Sequence, residues 1–345
     1  MASRRTFLKT AAAAATAVTV APPPGAAKQL GTVGGSYDGP HEMPSNVILL
    51  SMRNADGSET LGVKLDKDTV LDVRKASHLL GMAAPVTLGE LLREGNARGL
   101  NELVAAAKGS SKAKSALLGE STITFGRLFV NPGKIVCIGL NYRAHAQEAN
   151  LKIPNVPILF NKYNNALAAH HCTITLPARD VAYKFDYETE LLIVMGKKAR
   201  NVSETEALSY VAGYCTAHDF SARDLQLETP STQWMIGKTL DSFGPIGPYF
   251  VSADLVGDPN NLTIETYVNG ERRQNSNTSY MIFNPQKLIA YITRMWTLEP
   301  GDIIWSGTPE GVILGYPKDK QVWLKPGDEI VSSIEKLGQL KFKLA

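Results

Sequence analysis

The run Phe185-Asp186-Tyr187-Glu188-Thr189-Glu190 passes directly into Leu191-Leu192-Ile193-Val194-Met195, and this junction restricts the fold more tightly than any other feature of the chain. An unbroken apolar run of this length reads as a strand buried on both faces, which demands a sheet covered on both sides. Side chains alternate along a strand, so Asp186, Glu188 and Glu190 are expected on one side and Tyr187, Thr189 and Leu191 on the other. Carboxylates beside buried apolar surface lose hydration and repel one another unless a cation compensates. Asp219 closes a second apolar-small stretch, residues 211 to 218, and is expected where a buried strand opens into a loop. Oxygen-only ligands select a hard ion, Mg²⁺ or Mn²⁺, with Ca²⁺ accommodated by a looser cage. On spacing alone, a metal centre built from Glu188, Glu190 and Asp219 and a solvated acidic strand end stand as alternatives.

A second constellation lies upstream. Residues 134 to 138 read as a short strand, Gly139-Leu140-Asn141 as a turn, and residues 142 to 149 as one or two turns of helix. His145 and Glu148, three apart, share a helical face, where the carboxylate can orient the imidazole as a proton acceptor toward water. By itself such a pair is more often a surface contact.

The chain has 345 residues with 44% apolar content, enough for a large core and about two domains. Cys137, Cys172 and Cys215 sit singly among apolar neighbours, a pattern of buried thiols and not of disulfides or a cysteine metal site. Ser3-Arg4-Arg5-Thr6-Phe7-Leu8-Lys9 precedes an alanine-rich stretch ending near Ala27, which predicts a twin-arginine export signal over residues 1–27 and a periplasmic or extracellular location. Its removal would take Arg4, Arg5 and Lys9 and no acid, bringing the net charge from +3 to zero. A neutral mature chain without a basic stripe excludes a polyanion-binding role, and no further apolar segment predicts membrane insertion. A small molecule is the expected partner.

Residues 28–45, rich in Gly, Pro and small polar types, are expected to form a flexible tail. A small N-terminal α/β domain is predicted over 46–126, with a capping box at Thr87 and Glu90 and a helix capped by Asn101. It carries no chemical constellation, which suggests a packing or lid role. From 127 to 345 short apolar strands broken by Gly and Pro predict a β-rich catalytic domain. Ser203 and Glu206 predict a helix stopped by Gly213, and Asn269-Gly270 predicts a type I′ hairpin. The echoed Pro-Gly-Asp turns assign Asp302 and Asp328 to turn chemistry and not to ligation.

Taken together, residues 137–148, 186–190, 219–226, Gly237-Lys238 and Gly307-Thr308-Pro309-Glu310-Gly311-Val312 resemble the fumarylacetoacetate hydrolase family over about 127–345. The resemblance implies a mainly β fold with some α (α+β), a mixed β-sandwich roll, commonly a homodimer, with Mg²⁺ or a similar ion on Glu188, Glu190 and Asp219. It implies a His145–Glu148 pair on a loop that closes over substrate as a short helix, and substrate contacts from Arg223, Gln226, Lys238 and Thr308. The structural alternative for Arg223 is an ion pair with a neighbouring acid. The expected reaction is hydrolysis of a C–C bond in an acylpyruvate-like oxoacid, of the kind used in aromatic compound catabolism, with His145 activating water and Lys238 steadying the departing enolate. Decarboxylation or tautomerisation of an oxo-diacid, and an exported protein that binds oxoacids without turnover, are the alternatives. Phe160-Asn161-Lys162 fits the family pattern, whereas Tyr163-Asn164-Asn165 and His170-His171 depart from it. The two histidines could add a ligand, narrow the pocket or simply be solvated.

Overall fold

The structure, a computed structural model, describes Tyr37 and residues 39–345. The segment expected to direct export lies outside the described residues. One ten-stranded sheet runs through the molecule in the order Leu117–Gly119, Thr69–Asp72, Glu59–Lys64, Ile48–Arg53, Phe250–Ser252, Val211–His218, Thr189–Met195, Ile303–Trp305, Ile135–Gly139, Ile158–Phe160. All neighbours are antiparallel except Ile303–Trp305 with Ile135–Gly139. The sheet therefore continues across residue 127, because Ile48 and Leu49 pair with Val251 and Phe250.

Thr189–Met195 is buried along its whole length, as its apolar run predicts. Leu191, Ile193 and Met195 pack toward a five-stranded sheet built from Thr173–Ile174, Thr263–Val268, Glu271–Asn277, Glu329–Ile334 and Gly338–Leu344, and toward the helix Pro285–Met295. Leu192 and Val194 face the opposite way, into a core shared with the helices Val73–Leu80, Leu88–Glu94 and Ala97–Gly109. Period-two alternation thus divides one strand between two cores. The result is the mixed, sheet-rich α+β architecture expected.

Local signals hold where the chain is short-ranged. Thr87 accepts from the Glu90 amide at 3.1 Å to start a helix, and Asn269 (φ 51°) and Gly270 (φ 82°) form the turn between two paired strands. Asp302 and Asp328 accept backbone N–H groups within their own turns, from Glu299 and Lys325 respectively. Two expectations fail. The helix through residue 107 is capped by Asn96, with Asn101 inside it. The segment after Ser203 and Glu206 makes only a 3₁₀ turn, Ala207–Tyr210, before becoming the strand Val211–His218. That strand lies between two others and is buried throughout, so two ladders of backbone bonds override the capping signal. Within the expected tail, the Glu42 amide donates to Gly95 O at 2.7 Å and His41 Nε2 lies 3.1 Å from Leu92 O.

Gly213 stands in this central strand not as a helix stop but because a Cβ there would fall on the Val251 carbonyl and the Phe250 ring. Gly213→Val should cost about 1–3 kcal/mol through forced separation of the strands. Gly109→Ala, with open space around its Cβ, should stay within about 0.5 kcal/mol. Urea unfolding midpoints of the two variants check both values.

Candidate active site

Register assembles the acidic group. Thr189 pairs with His218 and Glu190 with Ala217, and the Asp219 amide donates to Glu188 O at 2.8 Å. Glu188 and Asp219 are thus cross-strand neighbours whose side chains project from one face. Ligand atoms of Glu188, Glu190 and Asp219 all lie within 4.8 Å of one another, and all three residues are buried. Asp186 does not join them. The strand breaks at Tyr187 and Glu188, and the Asp186 carboxylate turns to Arg223 Nε (2.8 Å) and the amides of Ile313 (2.9 Å) and Leu314 (3.1 Å).

Buried cations surround the trio. Lys238 Nζ donates to Glu188 Oε2 (2.6 Å) and Asp219 Oδ2 (2.9 Å). Lys162 Nζ lies 2.6 Å from Asp219 Oδ1, and Arg223 Nη2 lies 2.6 Å from Glu188 Oε1. These last two are charge contacts at angles outside hydrogen-bond geometry, so Asp219 Oδ1 and Arg223 Nη2 are buried without a hydrogen-bond partner. Burial alone would lift the Glu188 carboxyl, but Arg223 and then Lys238 outweigh it and hold it well below the usual range. Burial, followed by repulsion from Asp219 and Glu188, pushes Glu190 well up. A hard divalent cation fits this donor set: three buried oxygen ligands, one of them short of positive charge.

The helix Arg143–Glu148 carries the second pair. His145 Nδ1 and Glu148 Oε1 are 2.8 Å apart, and Glu148 Oε2 accepts from the Gly311 amide at 2.8 Å. Gly311 has φ 100°, and a Cβ there would strike the Arg273 carbonyl. His145 Nε2 is left as the free ring nitrogen. His145, Glu188, Arg223, Gln226, Lys238 and Thr308 line one cavity of about 40 Å³, together with the apolar Phe160, Trp234, Leu227 and Leu314. All three Arg223 nitrogens are engaged, by Asp186, Glu188 and Gln226 Oε1 (2.8 Å). Arg223 therefore fixes the Gln226 amide with its NH₂ end free. The Thr308 hydroxyl donates to Thr189 O at 2.9 Å and accepts from Gln274 Nε2 at 2.9 Å.

The His170 and His171 rings lie 3.9 Å apart, tilted by 49°, beside Phe125, and neither belongs to the acidic group or the cavity lining. His170 Nδ1 accepts from the Lys341 amide at 3.1 Å, a packing role in place of a ligand. Sequence reasoning passed over Lys162 as a site residue, His218 and Gln274. His218 Nε2 accepts from the Glu188 amide (3.0 Å) and its Nδ1 lies 3.1 Å from Ser332 Oγ. Gln274 binds Thr189 N through Oε1 (3.2 Å) and Thr308 through Nε2. Lys162 stood in a motif already noted, and His218 adjoins Asp219, but Gln274 lies in a hairpin strand with no local sign of its role.

The model of the fumarylacetoacetate (FAA) hydrolase C-terminal domain matches residues 134–345. The chain belongs to the fumarylacetoacetate hydrolase family. An oxaloacetate tautomerase of Rattus norvegicus, described as mitochondrial, is 40% identical over 256 residues, covering 74% of this chain and 79% of that protein. A putative HpcE protein from Mycobacterium smegmatis superposes with a TM-score of 0.71 at 32% identity, covering 86% of this chain and 99% of the other. The fumarylpyruvate hydrolase from Pseudomonas aeruginosa, solved in complex with Mn²⁺ and pyruvate, gives a TM-score of 0.56 at 30% identity over 63% of this chain and 91% of the other. The mitochondrial relative overturns the expected twin-arginine export. Paired arginines ahead of an alanine-rich run are a short, low-complexity feature that does not by itself specify that route. Among the described residues no helix is long and apolar enough to cross a membrane.

Burial lowers His218 and His170 from the ordinary 6.5 to about 3. Between those values the unfolded chain binds protons that the folded chain refuses, so stability falls as pH drops from about 6.5 toward 3, by up to about 1.4 kcal/mol per pH unit for each histidine. Urea unfolding across that range should show the decline, and His170→Gln should remove its share. A profile that is level over the range would contradict neutral burial of both rings.

Proposed function

We propose that the chain enolises a small 2-oxo acid, with keto–enol tautomerisation of a four-carbon oxo-diacid as its reaction. The observation that carries this reading is His145, braced by Glu148 and lining the same small cavity, of about 40 Å³, as Lys238. Tautomerisation requires one proton to move and no co-substrate, whereas hydrolysis requires a positioned water and room for two separating fragments. The rat relative named as an oxaloacetate tautomerase supports the same choice.

In this mechanism His145 Nε2 takes the proton from C3, and the C–H electron pair becomes the C2–C3 double bond as charge moves onto the carbonyl oxygen. The Lys238 ammonium steadies the charge on that oxygen, which takes up the proton carried by His145 to give the enol and restore the neutral imidazole. Gln226, its amide fixed by Arg223, offers N–H to a substrate carboxylate. A divalent ion on Glu188, Glu190 and Asp219, Mg²⁺ or Mn²⁺ in our reading, supplies Lewis acidity to the carbonyl. Glu148 keeps the imidazole oriented and latches its helix to Gly311.

Hydrolysis of an acylpyruvate is the second reading. It is favoured by the same His145–Glu148 pair, which can equally activate water, and by the likeness to fumarylpyruvate hydrolase. Decarboxylation would use the same enolate and is separated by carbon dioxide release. We also propose the homodimer as the working assembly, which light scattering of the purified chain tests directly.

Ultraviolet absorbance of the enol should show oxaloacetate equilibrating faster in the presence of enzyme, with no change of mass. His145→Asn should reduce kcat by about 10²–10⁴-fold, and Glu148→Gln by less. Unchanged turnover in His145→Asn, or two acid fragments as the sole products from every oxoacid tried, overturns the tautomerase reading. Tight binding with no product at all would favour a non-catalytic oxoacid-binding protein.

A further inference from the structure

Each carboxylate of the acidic trio has one oxygen already held by the protein. Glu188 Oε1 faces Arg223 Nη2 at 2.6 Å, Glu190 Oε2 accepts from the Gly307 amide at 2.7 Å, and Asp219 Oδ1 faces Lys162 Nζ at 2.6 Å. The other three oxygens are Glu188 Oε2, Glu190 Oε1 and Asp219 Oδ2. Lys238 reaches the first and last of these, and an ion binding all three would take the place of its ammonium on those two.

The three collars differ in kind. Gly307 offers a neutral amide, and Arg223 divides its charge among Asp186, Glu188 and Gln226. Lys162 meets only one carboxylate. Its side chain is fully buried, and its ammonium is anchored from behind by three carbonyls: Phe243 (2.9 Å), Phe220 (3.3 Å) and Lys238. An ammonium tethered in this way cannot follow Asp219 if the carboxylate turns. Lys162 also joins the ligand Asp219 to the backbone of Lys238, so a single buried charge sets the spacing of both.

We propose that Lys162 is a positioning residue that keeps Asp219 a one-oxygen ligand and thereby makes the centre prefer Mg²⁺ or Mn²⁺ over Ca²⁺. This rests on the metal-centre reading given above. Ca²⁺ gathers about six to eight oxygens and accepts two-oxygen carboxylates, whereas Mg²⁺ requires near-octahedral coordination at about 2.0–2.1 Å. For Asp219 to grip an ion with both oxygens, Oδ1 must give up its contact with the Lys162 ammonium, which its three carbonyl partners hold in place. The site therefore penalises the larger ion by refusing it the extra oxygen.

Full-length protein stripped with chelator is titrated calorimetrically with Mn²⁺, Mg²⁺ and Ca²⁺, as wild type and as Lys162→Met, with unfolding midpoints to check the fold. Lys162→Met should weaken Mn²⁺ and Mg²⁺ by about 10–100-fold, with Ca²⁺ changing by less than about threefold, so that the preference between ions collapses. Equal losses for all three ions, or none, overturn the role of Lys162 while leaving the metal centre intact. Should the variant fail to fold, crystals of the wild type loaded with Mn²⁺ decide: Asp219 bound through Oδ2 alone, with Lys162 on Oδ1, supports the proposal, and a two-oxygen Asp219 overturns it. Wild type that binds none of the ions removes the metal-centre reading and this inference with it.

Discussion

The structure depends on a knot of buried opposite charges at the end of its two central strands. Glu188, Glu190, Asp219 and Asp186 face Lys162, Lys238 and Arg223, every one of them buried. No such group could be removed from water singly, since an unpaired buried charge costs several kcal/mol. The pairing holds it there, but only because strand register, a helix end and two loops deliver the partners to one place. Glu190 is the member left without adequate compensation, held up by burial and by its acidic neighbours. The cluster is short of positive charge at the point where a divalent ion would complete it.

Beneath the charges lies a neutral polar layer that ties the site to the second sheet. The Thr189 hydroxyl meets Thr266 and Ser332, His218 bridges the Glu188 amide to Ser332, and Gln274 joins Thr189 to Thr308 and Pro309. These groups leave few donors or acceptors idle in a region where each unmet one is costly. Their effect is to lock the strand carrying Glu188 and Glu190 against the loop from Gly307 to Gly311, whose amides hold Glu190 and Glu148. The acidic trio and the His145–Glu148 pair are therefore braced by the same loop. The family relationship places this arrangement among enzymes of the fumarylacetoacetate hydrolase family.

How much was legible in the sequence varies with the range of the interaction. The hairpin at Asn269-Gly270 and the cap at Thr87 follow from two to four adjacent residues, so local chemistry sufficed. The segment after Ser203 read as helix for the same local reasons, yet it lies between two strands whose backbone bonds outweigh a cap. Asn101 misled because Asn96, five residues earlier, takes the capping position. Alternation misplaced Asp186 because the strand is interrupted at Tyr187, which no propensity signals. Gln274 had no local signature, since its role exists only where the hairpin crosses the loop at Thr308.

The sequence by itself determined that a strand with a buried apolar half begins in acidic residues, and that Asp219, His145 and Glu148 sit at strand or turn exits, because these follow from period and turn chemistry alone. It also determined the family, through several ordered motifs. Only the tertiary structure decided which oxygens face one another, that Arg223 is fully engaged in bracing Gln226 and the acids, that Lys162 is devoted to Asp219, and that His170 and His171 stand apart from the site. Those outcomes rest on contacts between residues far apart in the chain, including Lys162 with Asp219 and Glu188 with Lys238. Geometry at that range is set by sheet register and packing, which no short stretch of sequence encodes.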